Sequence, residues 1–393
     1  MTTLDSSNIH FGEKYQRVQL FPDYMNIKPF KAALPKVNKL FSIPLFFENV
    51  KNDFAEYRDR GFYEFPSQDQ LFIYEYKDEE RSYTGLICAT DINDYLDGTI
   101  LKHEDTLIEK EEKQIKLAEE RNALIKPVML TYRTSTEIQQ LLKDFKSSNE
   151  PTYTTSFKQG HHTIWSIHQP SIIKKFVKQF KTKITKAYIA DGHHRSRAIS
   201  RKYLESGRLK TYQYLHSIYL AEAEMKVSNW NRVITNIEKY TAIELMAMLS
   251  HSFTITPIPE PFQPTEPRTL VMYLKRKWFR LDWKRSVLKK YQHLPLERQF
   301  DISIFNKEIV NNLLEIKNVR ADCRLEHIDS RKGFDGLAKL VHKSDELSIG
   351  FIFSPLKLSD LFQVADRNQI MPPKSTFMLP RMQNGMLVAP FEE

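Results

Sequence analysis

The stretch YIADGHHRSRA, from Tyr188 to Ala198, changes its physical character midway. Ala187 to Ala190 is an apolar run of the length and composition of a buried strand. Asp191-Gly192 then turns the chain, and RSRAISRKYLES (195–206) reads as a helix. Glycine at the junction lets a backbone or a ligand approach closely. The first N–H groups of a helix have no partner within it and lie at the positive end of its dipole, so the junction is suited to an anion. His193 and His194 add donors, and Arg195 can hold a phosphate through two parallel bonds. Asp191 has two readings: a helix cap, or an acidic ligand to Mg²⁺, directly or through water.

Outward from this junction the chain is dense in secondary-structure signals. LFIYEY (71–76) and RSYTGLICATDI (81–92) flank the turn KDEE as a hairpin. His103 to Asn122 reads as a charged helix, 125–132 as a strand and 136–146 as a helix. PTYTTSF and TIWSIH form a second hairpin around Gln159-Gly160, with His161-His162 at its turn. A helix near 170–182 leads into the strand at 187–190. YQYLHSIYLAEA (212–223) is apolar enough for a central strand. PIPEPFQPTEP (257–267) reads as a stiff connector, which divides the chain into regions 1–256 and 268–393, unless it is a loop within one unit. Beyond it come a hairpin (269–283), a helix (302–316), a strand (348–355), a helix (358–368) and an extended tail from Met371. Strands and helices mix without a regular βα alternation, so the fold class is α+β with mixed sheets.

Composition narrows the function classes. Hydrophobic residues make up 41% of the 393, with 25 Phe and 18 Tyr, enough for substantial cores. No apolar run reaches 18 residues, and the opening MTTLDSSNIHFGEKYQR lacks the layout of a secretory signal. Two cysteines, Cys88 and Cys323, build neither a disulfide framework nor a multi-cysteine metal site, so a cytoplasmic setting is the simplest expectation. The net charge of +9 is spread through segments that also carry acids, such as EKEEKQIKLAEER. That pattern argues for a solvated basic surface, or for phosphorylated small molecules, rather than nucleic acid. No GxxxxGK[ST] or GxGxxG loop is present.

Together with IKPFKAALP (27–35), GLICATDINDYLDGTILKHEDT (85–106), SNWNRVI (228–234) and MPPKSTFMLPRMQNGMLV (371–388), the YIADGHHRSRAI element closely resembles the hallmarks of the domain of unknown function 1015 family. Its Asp-Gly-His-His-Arg element is similar to the Asp-Gly-His-Thr-Arg element of free-serine kinases on the ParB/sulfiredoxin-like fold. This resemblance implies a nucleotide-binding core of that kind with a further C-terminal α+β portion, and nucleotide phosphates at Gly192 to Arg195. It also implies transfer of a phosphoryl group from ATP or ADP, with Mg²⁺, to the hydroxyl of a free amino acid, L-serine first. The alternative is a ParB-like regulator that binds nucleotide or nucleic acid without catalysis.

Other candidates follow from that chemistry. A hydroxyl attacking phosphorus needs a carboxylate to aim it and take its proton. In His103-Glu104-x-Thr106, at the expected start of a helix, Glu104 is placed for that role. His103 and Asp191 are further catalytic candidates, and Thr106 is a candidate for binding nucleotide phosphate. Leu107 stands where a zinc protease would need its second histidine. Asn231, Arg232 and Lys374 are weaker candidates for a phosphate or carboxylate, and His161-His162 suits a plain turn. A metal site assembled from His161, His162, His193 and His194 has no ligand spacing to support it.

Overall fold

The computed structural model describes residues 24–157 and 160–391. The N-terminal opening and Gln159 lie outside the described residues. The fold is mixed α+β, built on two large sheets with helices against them.

The first sheet has nine strands: β1 (Ile27–Lys28), β2 (Leu71–Lys77), β3 (Ser82–Asp91), β4 (Ile100–Leu101), β5 (Val128–Tyr132), β6 (Tyr153–Phe157), β7 (Gly160–Ile167), β8 (Ala187–Asp191) and β9 (Tyr214–Ala221). Their order is β4-β8-β5-β9-β3-β2-β7-β6, with β1 pairing β3. Only β4/β8 and β5/β9 run parallel. β9 is central, as its apolar sequence suggests. Both faces of the sheet are buried, which is why its strands read as nearly continuous apolar runs. Leu71, Ile73, Leu86, Cys88, Leu130 and Tyr219 face helices α3 (Thr136–Ser148) and α4 (Pro170–Lys183), through Ile138, Leu142, Phe176 and Phe180. The alternate residues Phe72, Tyr74, Ile87, Met129, Ile218 and Leu220 belong to the largest core. Helix α1 (Ile43–Asp59) enters that same core with Phe46, Phe47, Val50 and Phe54.

The helix expected over 103–122 starts only at Ile108, as α2 (Ile108–Arg121). His103 to Leu107 form a loop, in which the N–H groups of His103 and Leu107 bond to the His193 and His194 rings rather than within a helix. α2 packs on α5 (His193–Glu205) through Ala118, Ile199 and Tyr203. Residues 161 and 162 sit in β7 rather than in a turn. The His162 ring is buried, with Tyr74 Oη 2.8 Å from its Nδ1, and Ser156 Oγ lies 2.8 Å from His161 Nδ1.

The second sheet holds β10 (Trp230–Ile234), β11 (Phe253–Ile258), β12 (Thr269–Leu274), β13 (Lys277–Trp283), β14 (Leu325–Asp329) and β15 (Ile349–Ile352), in the order β11-β13-β12-β15-β10-β14. The proline-rich stretch 257–267 runs between β11 and β12, inside this sheet. The chain passes from the first sheet to the second earlier, between β9 and β10. One face carries α8 (Gly333–Val341) on Val233, Val271, Ile328 and Ile352, following α6 (Ala242–Ser252) and a helix α7 (Asp301–Phe305) that continues as a π-helical segment Asn306–Leu313. The other face, with Met272, Leu281 and Phe351, joins the core shared with the first sheet. A last helix, α9 (Leu358–Asp366), precedes the tail.

That tail is a strap across both sheets. Met371 N–H donates to the His103 carbonyl at 2.8 Å, and Phe377–Leu379 pair with Lys226–Ser228. Gly385 N–H reaches the Ile125 carbonyl at 2.8 Å, and Val388 exchanges two bonds with Ala33. Met382, Met386, Leu387 and Val388 are buried in the shared core.

Candidate active site

The pairing register of β8 against β5 slips between Ile189 and Asp191, which ends the strand at Asp191. Gly192 follows with φ +110° and ψ 24°, a left-handed conformation that a side chain would strain. A Cβ there would lie 2.8 Å from Arg195 Nη2, so glycine is also needed for the guanidinium to fold back over the turn. α5 begins at His193 with no side chain capping it.

Arg195 does not reach outward from this turn. Its Nη2 donates to Asp191 Oδ2 at 2.9 Å and to the Pro127 carbonyl at 3.2 Å. Two cations that the sequence reading passed over join it. Lys126 Nζ lies 3.8 Å from Asp191 Oδ2, and Arg381 Nη2, from the strap, lies 3.6 Å from Oδ1. Burial pushes the Asp191 carboxyl up, but Arg195, Lys126 and Arg381 together outweigh it and hold the group well below the usual carboxylate range. Burial lowers the Lys126 ammonium to about 8, and Asp191 opposes that shift.

The two histidines serve as acceptors. His103 N–H donates to His193 Nε2 at 3.5 Å, and Leu107 N–H donates to His194 Nε2 at 3.2 Å. Together they tie the 103–107 loop to the start of α5. An accepting Nε2 leaves the proton of a neutral ring on Nδ1. His193 Nδ1 faces Glu104 Oε2 at 4.0 Å. Burial is the main cause holding His193 well below its ordinary value, and it lowers His194 as well. His103 is buried edge-on to His193, 4.6 Å between ring centres, and burial lowers it to about 4.

Glu104 is half-buried. Burial raises its carboxyl, and the attraction of Lys374, Arg320 and Lys110 offsets only part of that. Lys374 thus joins the site, with Nζ 4.3 Å above the Trp230 ring. Its ammonium is lowered by burial and raised by Glu104. Thr106 bonds Glu111 in the first turn of α2, and Arg201 Nη1 holds the other Glu111 oxygen at 3.3 Å. Thr106 therefore anchors the loop.

Asn231 and Arg232 are occupied internally. Asn231 Oδ1 accepts from Asn229 Nδ2 at 2.5 Å and from Phe353 N–H at 3.4 Å. Arg232 is fully buried and donates to the carbonyls of Trp230 (3.0 Å) and Lys374 (2.9 Å), which fixes the strap where Lys374 is presented. The surroundings of Asp191 do not fit a divalent cation. Three cations already face its carboxylate, and a further positive ion would meet their repulsion. Among the described residues no cluster of three or more His, Cys, Asp or Glu side chains is arranged to hold a metal.

The chain belongs to the DUF1015 family, described as "Protein of unknown function", whose model matches residues 32–303. Among solved structures it is similar to SbnI with a C-terminal truncation from Staphylococcus aureus, at 11% identity and TM-score 0.39, with 76% of this chain and 85% of that one covered. It is also similar to a free serine kinase in complex with AMP, at 14% identity and TM-score 0.37, covering 76% and 92% of the two chains. A variant of a free serine kinase in complex with ADP gives 13%, 0.38, 76% and 92%. No curated protein matches the chain. Among the described residues no helix is long and apolar enough to cross a membrane.

Proposed function

We propose that this protein transfers a phosphoryl group from a nucleotide, ATP or ADP, to the hydroxyl of a free amino acid, L-serine first. One observation carries the reading. Glu104, a half-buried carboxylate pushed up by burial, faces the uncapped start of α5 among Lys374, Arg320 and Lys110. Transfer of a phosphoryl group asks chiefly for positioning and neutralisation of charge. The free N–H groups of His193 and His194 at the helix start would hold phosphate oxygens, with Lys374, Arg320 and Lys110 as the surrounding positive charge. Glu104 would orient the acceptor hydroxyl and take its proton, and a raised carboxyl is the better base near neutral pH. His193 Nδ1–H is placed to steady that carboxylate, and His103 to steady His193. Arg195 acts through Asp191 rather than on the phosphate. The ParB/sulfiredoxin-like description of the core belongs to the same proposal.

Mass spectrometry of products after incubation with ATP or ADP and each free amino acid tests it. O-phosphoserine is the expected product. Its absence with both nucleotides at saturating serine, from folded protein, removes the serine assignment.

A further inference from the structure

A narrow cleft lies beneath the strap, next to Asp191. Its charged lining is Lys126, Asp191 and Arg381, and Met129, Ile218 and Leu220 are among its apolar walls. Its volume is about 10 Å³, room for about one water molecule, so what enters is one oxygen of a head group and not a whole ligand.

The charges here do not balance. Asp191 meets three cations, of which Arg381 is also within electrostatic reach of Asp329, and the four side chains are between 22% and 34% exposed. Positive charge this far from water is costly unless an anion accompanies it. The donors are unfilled as well. Arg195 Nε is buried without a hydrogen-bond partner. Lys126 Nζ and Arg381 Nη2 stand 3.8 and 3.6 Å from Asp191, beyond hydrogen-bonding distance. Among the described residues Arg381 donates its Nε to the Met378 carbonyl at 3.3 Å, and its guanidinium lies 4.0 Å over the Phe377 ring. Lys126 and Arg381, from separate parts of the chain, thus line one cleft with donors to spare, and Arg195, bonded to Asp191, keeps its Nε unfilled.

We propose that Lys126 and Arg381, with Arg195 held beside them through Asp191, form a subsite for a small oxyanion head, a carboxylate or a phosphate, distinct from the N–H groups at the start of α5. Within the reaction proposed above, it would take the carboxylate of the acceptor amino acid. The subsite itself rests on the cluster and the cleft, not on that reaction. So small a space takes part of a head group alone and excludes a nucleotide base.

The test uses the full chain in thermal-shift and calorimetric titrations at constant ionic strength, balanced with chloride. The probes are inorganic phosphate, acetate, L-serine and AMP. Phosphate or L-serine should raise the melting temperature where equivalent chloride does not. L-serine and acetate without phosphate identify a carboxylate head, phosphate alone a phosphate head, and mutual competition one subsite for both. Arg381→Met and Lys126→Met should each weaken that binding about tenfold or more, the loss of one charge-assisted bond. AMP affinity should change less than about twofold, as expected for a separate site. Equal response to chloride and to every oxyanion overturns the proposal on the wild-type protein alone, whatever the variants do. Variants that lose AMP binding equally overturn the separateness of the subsite. Oxyanion binding without phosphoserine formation keeps the subsite and removes the kinase reading.

Discussion

Asp191→Asn tests the electrostatic arrangement at its centre. The wild-type carboxylate balances one of three nearby cations and accepts a 2.9 Å bond from Arg195. Asparagine keeps an oxygen to accept that bond and removes the charge. Breaking a buried ion pair from one side costs about 3–5 kcal/mol. With Asp191 22% exposed and one acceptor kept, about 2–4 kcal/mol is expected. For a chain of 393 residues this lowers the melting temperature by about 3–5 °C. The same change should strengthen anion binding. At about 4–6 Å and an effective dielectric of about 20, the repulsion removed is about 3–4 kcal/mol before screening, so an affinity gain of tenfold at low salt is a modest expectation. The sign with pH follows from the depressed carboxyl. A group whose folded value lies below its unfolded one, about 3.9 for Asp, stabilises above that value and loses the contribution as pH falls through the folded one. The gap between wild type and variant should therefore be full at pH 7 and narrow below about pH 4. Scanning calorimetry across pH, with and without phosphate, measures each part. A variant as stable as wild type with an unchanged anion response would refute the counter-ion role. Unchanged stability with a lost magnesium response would return Asp191 to metal binding.

Three further outcomes follow from the same geometry. Glu104→Gln should lower turnover by about 10²- to 10⁴-fold while nucleotide affinity and melting temperature hold, in kinetics and calorimetry on one preparation; equal loss of all three marks a structural carboxylate. Gly192→Ala, placed at φ +110° with its Cβ 2.8 Å from Arg195 Nη2, should cost about 1–3 kcal/mol in urea unfolding and displace Arg195 from Asp191; wild-type stability would refute the strain. Phosphate or carboxylate binding should weaken as pH rises through about 8, where Lys126 loses its proton, and Lys126→Met should flatten that dependence in isothermal titrations.

Much of the framework was legible locally. The hairpin of β2 and β3, the central strand β9 and the junction of β8 with α5 follow from short-range periodicity and turn residues. The start of α2 was not. The sequence 103–107 is polar and sits before a strong helical pattern, so it reads as the first turn. In the structure, the N–H groups of His103 and Leu107 bond to the His193 and His194 rings, residues far along the chain. Such a contact overrides a local preference and carries no periodic signature. The proline-rich stretch 257–267 left two readings open for a related reason, because proline marks rigidity equally well between domains and between two strands of one sheet, where this stretch lies.

The site shows the same division between residue type and residue partnership. Reading Asp191 to Arg195 as a functional cluster needed only the glycine turn and the density of polar groups. Assigning each side chain its task required knowing what else arrives there. Arg195 looked free for phosphate, but Asp191 and the Pro127 carbonyl take its Nη2. The two further cations at Asp191, Lys126 and Arg381, are distant in sequence. A signal for both was nevertheless present. Lys126 interrupts the apolar strand IKPVMLTY, and Arg381 interrupts the apolar tail FMLPRMQNGMLV. A cation inside an apolar run must find an anion or lose its charge when the run is buried. Asp191 at the end of β8 faces three cations, with Asp329 in electrostatic reach of Arg381. From that imbalance, more than from any motif, comes the expectation that the cluster completes itself with an anionic ligand.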